Sequence, residues 1–347
     1  MKDSNITCVL KIESLLIGYG GKIFNPLLPP LTASAEEGEL IAIIGRNGSG
    51  KSTLLKTIAG LLKPLGGTIY IEEKNIEEFR LNELAHVTGY VSTEQVRVEN
   101  MRVIELVGMG RYPYTSWTGN MMAEDHEKIA IALEQTGLVD ISERFINELS
   151  DGERQRMMIG RVVAQDTHLI LLDEPTAFLD INHKYEIIHL LRKLADENKK
   201  TILFSTHDIQ AAMNECDRIW MISQEGFYDG APEDLVLRGD IEKLFSNPRV
   251  VFDKQDATIS FKKDFTGDVY ISGTGDNRLL TEKAVQRAGF KSAGNDSDIN
   301  IHVEKDDAGY LWICRNTDKL PEEFRTIYET IRWLKVNYRA NRIGRLS

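Results

Sequence analysis

Gly45-Arg46-Asn47-Gly48-Ser49-Gly50-Lys51-Ser52-Thr53 sets the architecture of this 347-residue chain. The nine residues fit the spacing G-x-x-x-x-G-K-[ST], in which glycines let the backbone curl until several N–H groups converge on one anion. The flanks suit that reading. Residues 39–44 (ELIAII) form an apolar, strand-like run, and residues 53–62 continue with helical spacing. Strand, glycine-rich turn and helix N-terminus together make a phosphate cradle. The pattern predicts a bound nucleoside triphosphate, with the chain from Gly45 to Thr53 around its phosphates. Lys51 would reach the β- and γ-phosphates, and the Ser52 hydroxyl would coordinate Mg²⁺.

A second group of signals lies mid-chain. Residues 169–172 (LILL) are apolar on both faces, as expected of a central parallel strand covered by helices. Asp173 and Glu174 follow at the strand's C-terminal end, where ligands bind in such sheets. Asp173 can hold Mg²⁺ directly or through water, and Glu174 can accept a proton from an attacking water. Residues 201–205 (TILFS) read as another strand, ending at His207 ahead of a helical run over 209–214. Ser150 and Glu153 have the spacing of a capping box before a helix that continues over 157–164. A helix so capped still offers N–H groups and a positive dipole end to an anion.

In this order, the pieces resemble the ATPase subunit of an ATP-binding cassette (ABC) transporter over roughly the first 245 residues. The resemblance implies an α/β P-loop NTPase cassette over residues 1–248, with a RecA-like core, an antiparallel β subdomain and a helical subdomain at about 94–165. By the same resemblance Tyr19 stacks on adenine, Glu174 is the general base and His207 is the switch histidine that bonds the γ-phosphate. Residues 149–153 (LSDGE) replace the family signature LSGGQ, so Asp151 and Glu153 add negative charge near a phosphate. Two copies would pack head to tail, with Ser150 and Gly152 of one facing the ATP held by the other. Asp180 would contact the facing copy. One position departs from the family: the strand at 87–91 should lead to a glutamine that senses Mg²⁺, yet the count reaches Thr93, then Glu94 and Gln95. Glu94 or Gln95 is preferred to Thr93 as the metal ligand.

Between that loop and the signature, residues 109–114 (MGRYPY) precede Trp117 and a helical pattern over 124–136. This segment looks like that of importers for metal chelates, namely iron–siderophore, haem and cobalamin systems. The likeness implies permease subunits gripped by the helical subdomain and a substrate-binding protein in the same system. Aromatics with one arginine, Arg111, suit such an interface. Zinc or manganese importers and exporters are the alternative within transporters. A soluble ABC ATPase fits less well, since one P-loop and one signature are present and no long coiled coil separates them.

Composition agrees. A hydrophobic content of 42% supports packed cores, and the length suggests roughly two or three compact units. No run approaches the ~20 apolar residues of a membrane span and no secretory pattern opens the sequence, so the expected location is cytoplasmic, peripheral on the inner face of the cytoplasmic membrane. A net charge of −11 disfavours nucleic acid as a partner. Cys8, Cys216 and Cys314 are widely spaced, odd in number and form no C-x-x-C pair, so neither a disulfide framework nor a zinc site is indicated. Residues 249–347 lie past the resemblance and read as a small α/β extension that dimerises or regulates the cassette. Strands are expected at 258–261 and 269–272, a helix at 279–288, and a hairpin pairing 299–303 with 310–314. A last helix is expected over 322–337, with Phe324, Ile327, Tyr328, Ile331 and Leu334 at helical spacing.

Overall fold

Strand Leu40–Gly45 lies inside a six-stranded sheet because its residues are apolar without alternation. Leu40, Ala42 and Ile44 enter one buried cluster, and Ile41 and Ile43 enter the other. The computed structural model describes residues 7–19, 25–94, 100–115, 120–245, 247, 249–253, 258–294, 297–317 and 319–344; for Tyr19, Asn25 and 339–344 it describes the backbone alone. Contacts divide the chain into two compact units, one of residues 1–246 with 252–259 and one of 247–251 with 260–347.

In the first unit the strand order is 227–230, 218–222, 40–45, 201–206, 169–172, 88–91. All neighbours are parallel except the edge pair of 218–222 with 227–230. The register puts Thr206 opposite Ile44, Phe204 opposite Leu172, and Leu172 opposite Val91. Four strand ends therefore deliver the P-loop, His207, Asp173-Glu174 and Ser92-Thr93 to one edge. A separate four-stranded antiparallel sheet, ordered 31–36, 8–16, 66–71, 74–75, shares the cluster of Ile41 and Ile43. The P-loop helix runs Lys51–Ile58, shorter than the 53–62 of the sequence pattern, and Gly60 at φ +71° turns the chain just beyond its C-cap.

Helices Val103–Gly108, Ala123–Gln135 and Asp151–Gln165 pack together, joined by a 3₁₀ segment at Met109–Tyr114. Here one expectation fails. Arg111 is not displayed at an interface but is buried at 3% exposure. Its Nε donates to Asp125 Oδ1 at 2.9 Å, another guanidinium nitrogen donates to Ala164 O at 3.0 Å, and the plane lies 3.8 Å from the Tyr114 ring. The arginine ties three elements together, while Tyr112 stays exposed. Trp117 lies outside the described residues.

The second unit has a five-stranded sheet ordered 290–292, 267–273, 299–306, 309–316, 322–324. Helices Asp276–Arg287 and Ile327–Gly344 accompany it. Val269, Ile271, Ile301, Val303, Trp312 and Leu334 are among its core residues. Trp312 Nε1 donates to Thr281 Oγ1 at 2.8 Å, which satisfies a buried polar atom. The last helix does not begin at 322. Glu322–Phe324 instead pairs with Trp312–Cys314 as an edge strand, and the helix starts at Ile327 after a Thr326–Glu329 cap.

Candidate functional site

The chain turns from strand Leu40–Gly45 into helix Lys51–Ile58 through Gly48 at φ +75° and Gly50 at φ +102°, backbone that side chains with a Cβ disfavour. A cavity of about 530 Å³ opens there, lined among others by Asn47, Gly48, Lys51, Ser52, Glu174 and His207. Among the described residues nothing stands within 4 Å of where a Cβ on Gly48 would lie, and Ser49 Oγ is buried with no hydrogen-bond partner among them. Open space beside a curled backbone, an unmatched hydroxyl and a lysine suit a polyphosphate. Leu27 also lines the cavity, and no feature of the sequence had marked it. Tyr19 is in a short strand pairing with Asn25, and its side chain lies outside the described residues.

Lys51 is buried at 5% exposure; its Nζ donates to Gly45 O at 3.0 Å and Arg46 O at 3.3 Å. Burial pulls its pKa down, against the opposing charges of Glu174 and Asp173. Ser52 Oγ donates to Asp173 Oδ1 at 2.8 Å, so the two metal candidates meet directly. His207 Nε2 lies 2.7 Å from Glu174 Oε1 and 3.3 Å from Lys51 Nζ. A proton on Nε2 serves the carboxylate, so the lysine directs its own protons to the two carbonyls.

Asp173 is almost completely buried and held on every side. Its N–H donates to Val91 O, its carbonyl accepts from Thr93 Oγ1 at 2.9 Å, and Oδ1 accepts from both Ser52 and Ser205 at 2.8 Å. Among the described residues of that loop, Thr93, set behind its neighbours in the sequence reading, bonds to the Asp173 main chain. Glu94 is exposed and lines a neighbouring cleft with Glu174, Asp151 and Phe178, while Gln95 lies outside the described residues. Burial, then Asp173 and Glu94, push the Tyr90 phenol well above its ordinary range. Sequence reasoning missed Ser205, whose only signal was its place two residues before His207.

At the start of helix Asp151–Gln165 the capping box is formed. Ser150 Oγ accepts from Glu153 N at 3.2 Å, and Glu153 Oε2 accepts from Ser150 N at 2.8 Å. That backbone bond holds the Glu153 carboxyl below its usual range. Glu153 also meets Arg144 at 3.3 Å and Asp151 meets Arg154 at 3.3 Å. The two acidic departures from the signature therefore carry their own cations. Gly152 has a local reason too: a Cβ there would come within 2.5 Å of the His183 ring. Asp180 caps helix Ile181–Asn198, accepting from His183 N at 2.9 Å, which lowers its pKa. Around it Phe178 is 82% exposed and Ile181 68% exposed, with Phe178 at φ +65°.

Residues 28–177 match the ABC transporter family, and residues 266–335 match the iron ABC transporter C-terminal domain. An uncharacterised ABC transporter ATP-binding protein of Methanocaldococcus jannaschii, MJ0873, is 39% identical over 238 residues, 68% of this chain and 81% of that protein. The chain belongs to the ABC transporter ATP-binding proteins. It is an ATP-binding ATPase subunit of that family. It is similar to the petrobactin import ATP-binding protein FpuD of Bacillus anthracis (36% identity, 65% of this chain and 82% of that one). The ferric enterobactin transport ATP-binding protein FepC of Escherichia coli K12 is 32% identical over 70% of this chain and 89% of its own. Among solved structures, a transporter assigned to the metal-chelate type in an inward-facing conformation matches at TM-score 0.61, with 26% identity over 73% of this chain and 96% of that one. The dimeric bacterial ABC transporter cassette MJ0796 matches at TM-score 0.56, with 28% identity over 64% and 98%. The chain is a P-loop α/β ABC cassette followed by a C-terminal extension. No described helix is long and apolar enough to cross a membrane.

Proposed function

We propose that this ABC ATPase powers import of an iron chelate, with residues 1–248 as the motor and 249–347 as an appended regulatory or dimerising unit. The observation that carries the substrate class is the iron-type C-terminal match on a chain whose motor resembles siderophore import subunits. Lys51 and the P-loop N–H groups hold the phosphates. Glu174 takes the proton of the attacking water, and His207, already in contact with Glu174, meets the γ-phosphate. Ser52 and Asp173 hold Mg²⁺, whose charge offsets that of the phosphates when it is bound, with Thr93, Glu94 and Gln95 on the loop that senses it. Tyr19 stacks on the base.

Two copies close head to tail, so that Ser150, Gly152 and Asp180 of one complete the site of the other. The exposure of Phe178 and Ile181 beside Asp180 supports a covered face there. Permease subunits dock on the helical subdomain, a substrate-binding protein feeds them, and the ATPase works on the cytoplasmic side. The test is uptake of radiolabelled ferric siderophore in cells lacking this chain. Wild type should restore it and Glu174→Gln should not. Normal ferric-siderophore uptake alongside a loss of cobalamin uptake would overturn the iron reading.

A further inference from the structure

Glu174 adopts φ +51°, a left-handed backbone that residues with a side chain populate sparsely. Something must hold it there, and the contacts on its main chain say what. Glu174 N donates to Ser205 Oγ at 2.8 Å, and the same hydroxyl gives its proton to Asp173 Oδ1 at 2.8 Å. Ser205 is buried at 0% exposure, so both bonds are shielded from water.

We infer that Ser205 is a positioning residue for ATP hydrolysis, acting through the backbone of Glu174. This rests on Glu174 being the base. One hydroxyl clasps two consecutive acidic residues, receiving from one and giving to the other. Ser205 lies on strand Thr201–Thr206, and His207, just past its end, touches the Glu174 carboxylate at 2.7 Å. The strand thus grips Glu174 at its main chain and, two residues on, at its side chain. Without the hydroxyl, the Glu174 N–H loses its acceptor and Asp173 Oδ1 loses one of its donors while keeping Ser52. The carboxylate then wanders from the line of attack while the P-loop stays intact.

The experiment is steady-state ATPase of the full-length chain with Ser205→Ala, Ser205→Thr, Glu174→Gln and the double variant Ser205→Ala/Glu174→Gln. Ser205→Ala should lower kcat roughly 10- to 100-fold, the scale of a misplaced catalytic group, with KM for ATP within about twofold since phosphate contacts are untouched. Ser205→Thr, which keeps the hydroxyl, should recover most of the rate. Ser205→Ala should add nothing to Glu174→Gln, because both act through one group. If Ser205→Ala does not fold, Ser205→Cys replaces it, with the same fall in kcat expected. Full kcat in Ser205→Ala beside an inactive Glu174→Gln overturns this proposal alone. Full activity in Glu174→Gln overturns the base assignment as well. Equal loss in the Ala and Thr variants, tracking their melting temperatures, would make Ser205 merely structural.

Discussion

The phosphate-binding edge and the C-terminal unit both combine a sheet with covering helices, the first sheet parallel but for one edge strand and the second mixed, yet they constrain sequence differently. At the edge, particular atoms matter: Lys51 Nζ, Asp173 Oδ1, Ser205 Oγ, Glu174 Oε1 and His207 Nε2 each lie within hydrogen-bond reach of another of the set or of the main chain. In the C-terminal unit the strand and helix faces need only be apolar in the right rhythm, as Val269, Ile271, Ile301 and Val303 are. A small change of atom should therefore be felt as lost chemistry in one region and as lost stability in the other.

The sharpest way to break that contrast is Glu174→Gln. The change is nearly isosteric and removes the proton acceptor while leaving the P-loop untouched. ATPase turnover should fall by about two to four orders of magnitude, with nucleotide binding retained in a fluorescence titration. Hydrolysis at the wild-type rate would show that this edge tolerates substitution as an ordinary strand end does.

Arg111→Met comes next and tests packing inside the motor unit itself. The change leaves Asp125 buried without its cation, so the unit should lose about 3–5 kcal/mol in a urea titration. A loss near zero would place Arg111 with the surface pairs. The same pair predicts an acid response. The Met122 N–H bond, then Arg111, hold Asp125 below its usual carboxyl range. A depressed carboxylate stabilises the fold above its unfolded pKa, near 3.9, and that contribution fades as pH falls through the folded value. Melting temperature should therefore drop less steeply below about pH 4 in Asp125→Asn than in wild type.

What was legible in the sequence follows the same division. The P-loop, Asp173-Glu174 and His207 could be placed on strand ends because phosphate chemistry fixes residue types at fixed spacing. The Ser150–Glu153 cap was legible because a capping box satisfies two helix-start N–H groups at a fixed three-residue spacing. Ser205 was not, because a buried serine in an apolar strand looks like any small core residue until its partners, 31 and 32 positions away, are known. Arg111 was read as a contact residue because sequence shows charge and aromatics but not burial. Thr93 was placed after Glu94 and Gln95 as a metal ligand, and its bond to the Asp173 carbonyl, 80 positions away, is a main-chain contact that no residue pattern announces.

The start of the last helix is the most instructive miss, and it supplies the smallest prediction. Apolar spacing from Phe324 to Leu334 ran smoothly enough to suggest one helix from 322. The signal against it was present: Thr326 and Glu329 have the spacing of a capping box, which places the helix start after Thr326. In the structure Thr326 Oγ1 accepts from Glu329 N at 3.2 Å and donates to Glu329 Oε2 at 2.8 Å. Phe324, spared from the helix, packs against the core from the edge strand. Thr326→Ala removes the acceptor of the Glu329 N–H, so the C-terminal unit should lose about 1 kcal/mol. ATPase activity of the full chain should be unchanged in the same preparation. A variant with unaltered stability would mean that strand pairing at 322–324, not the cap, fixes where this helix begins.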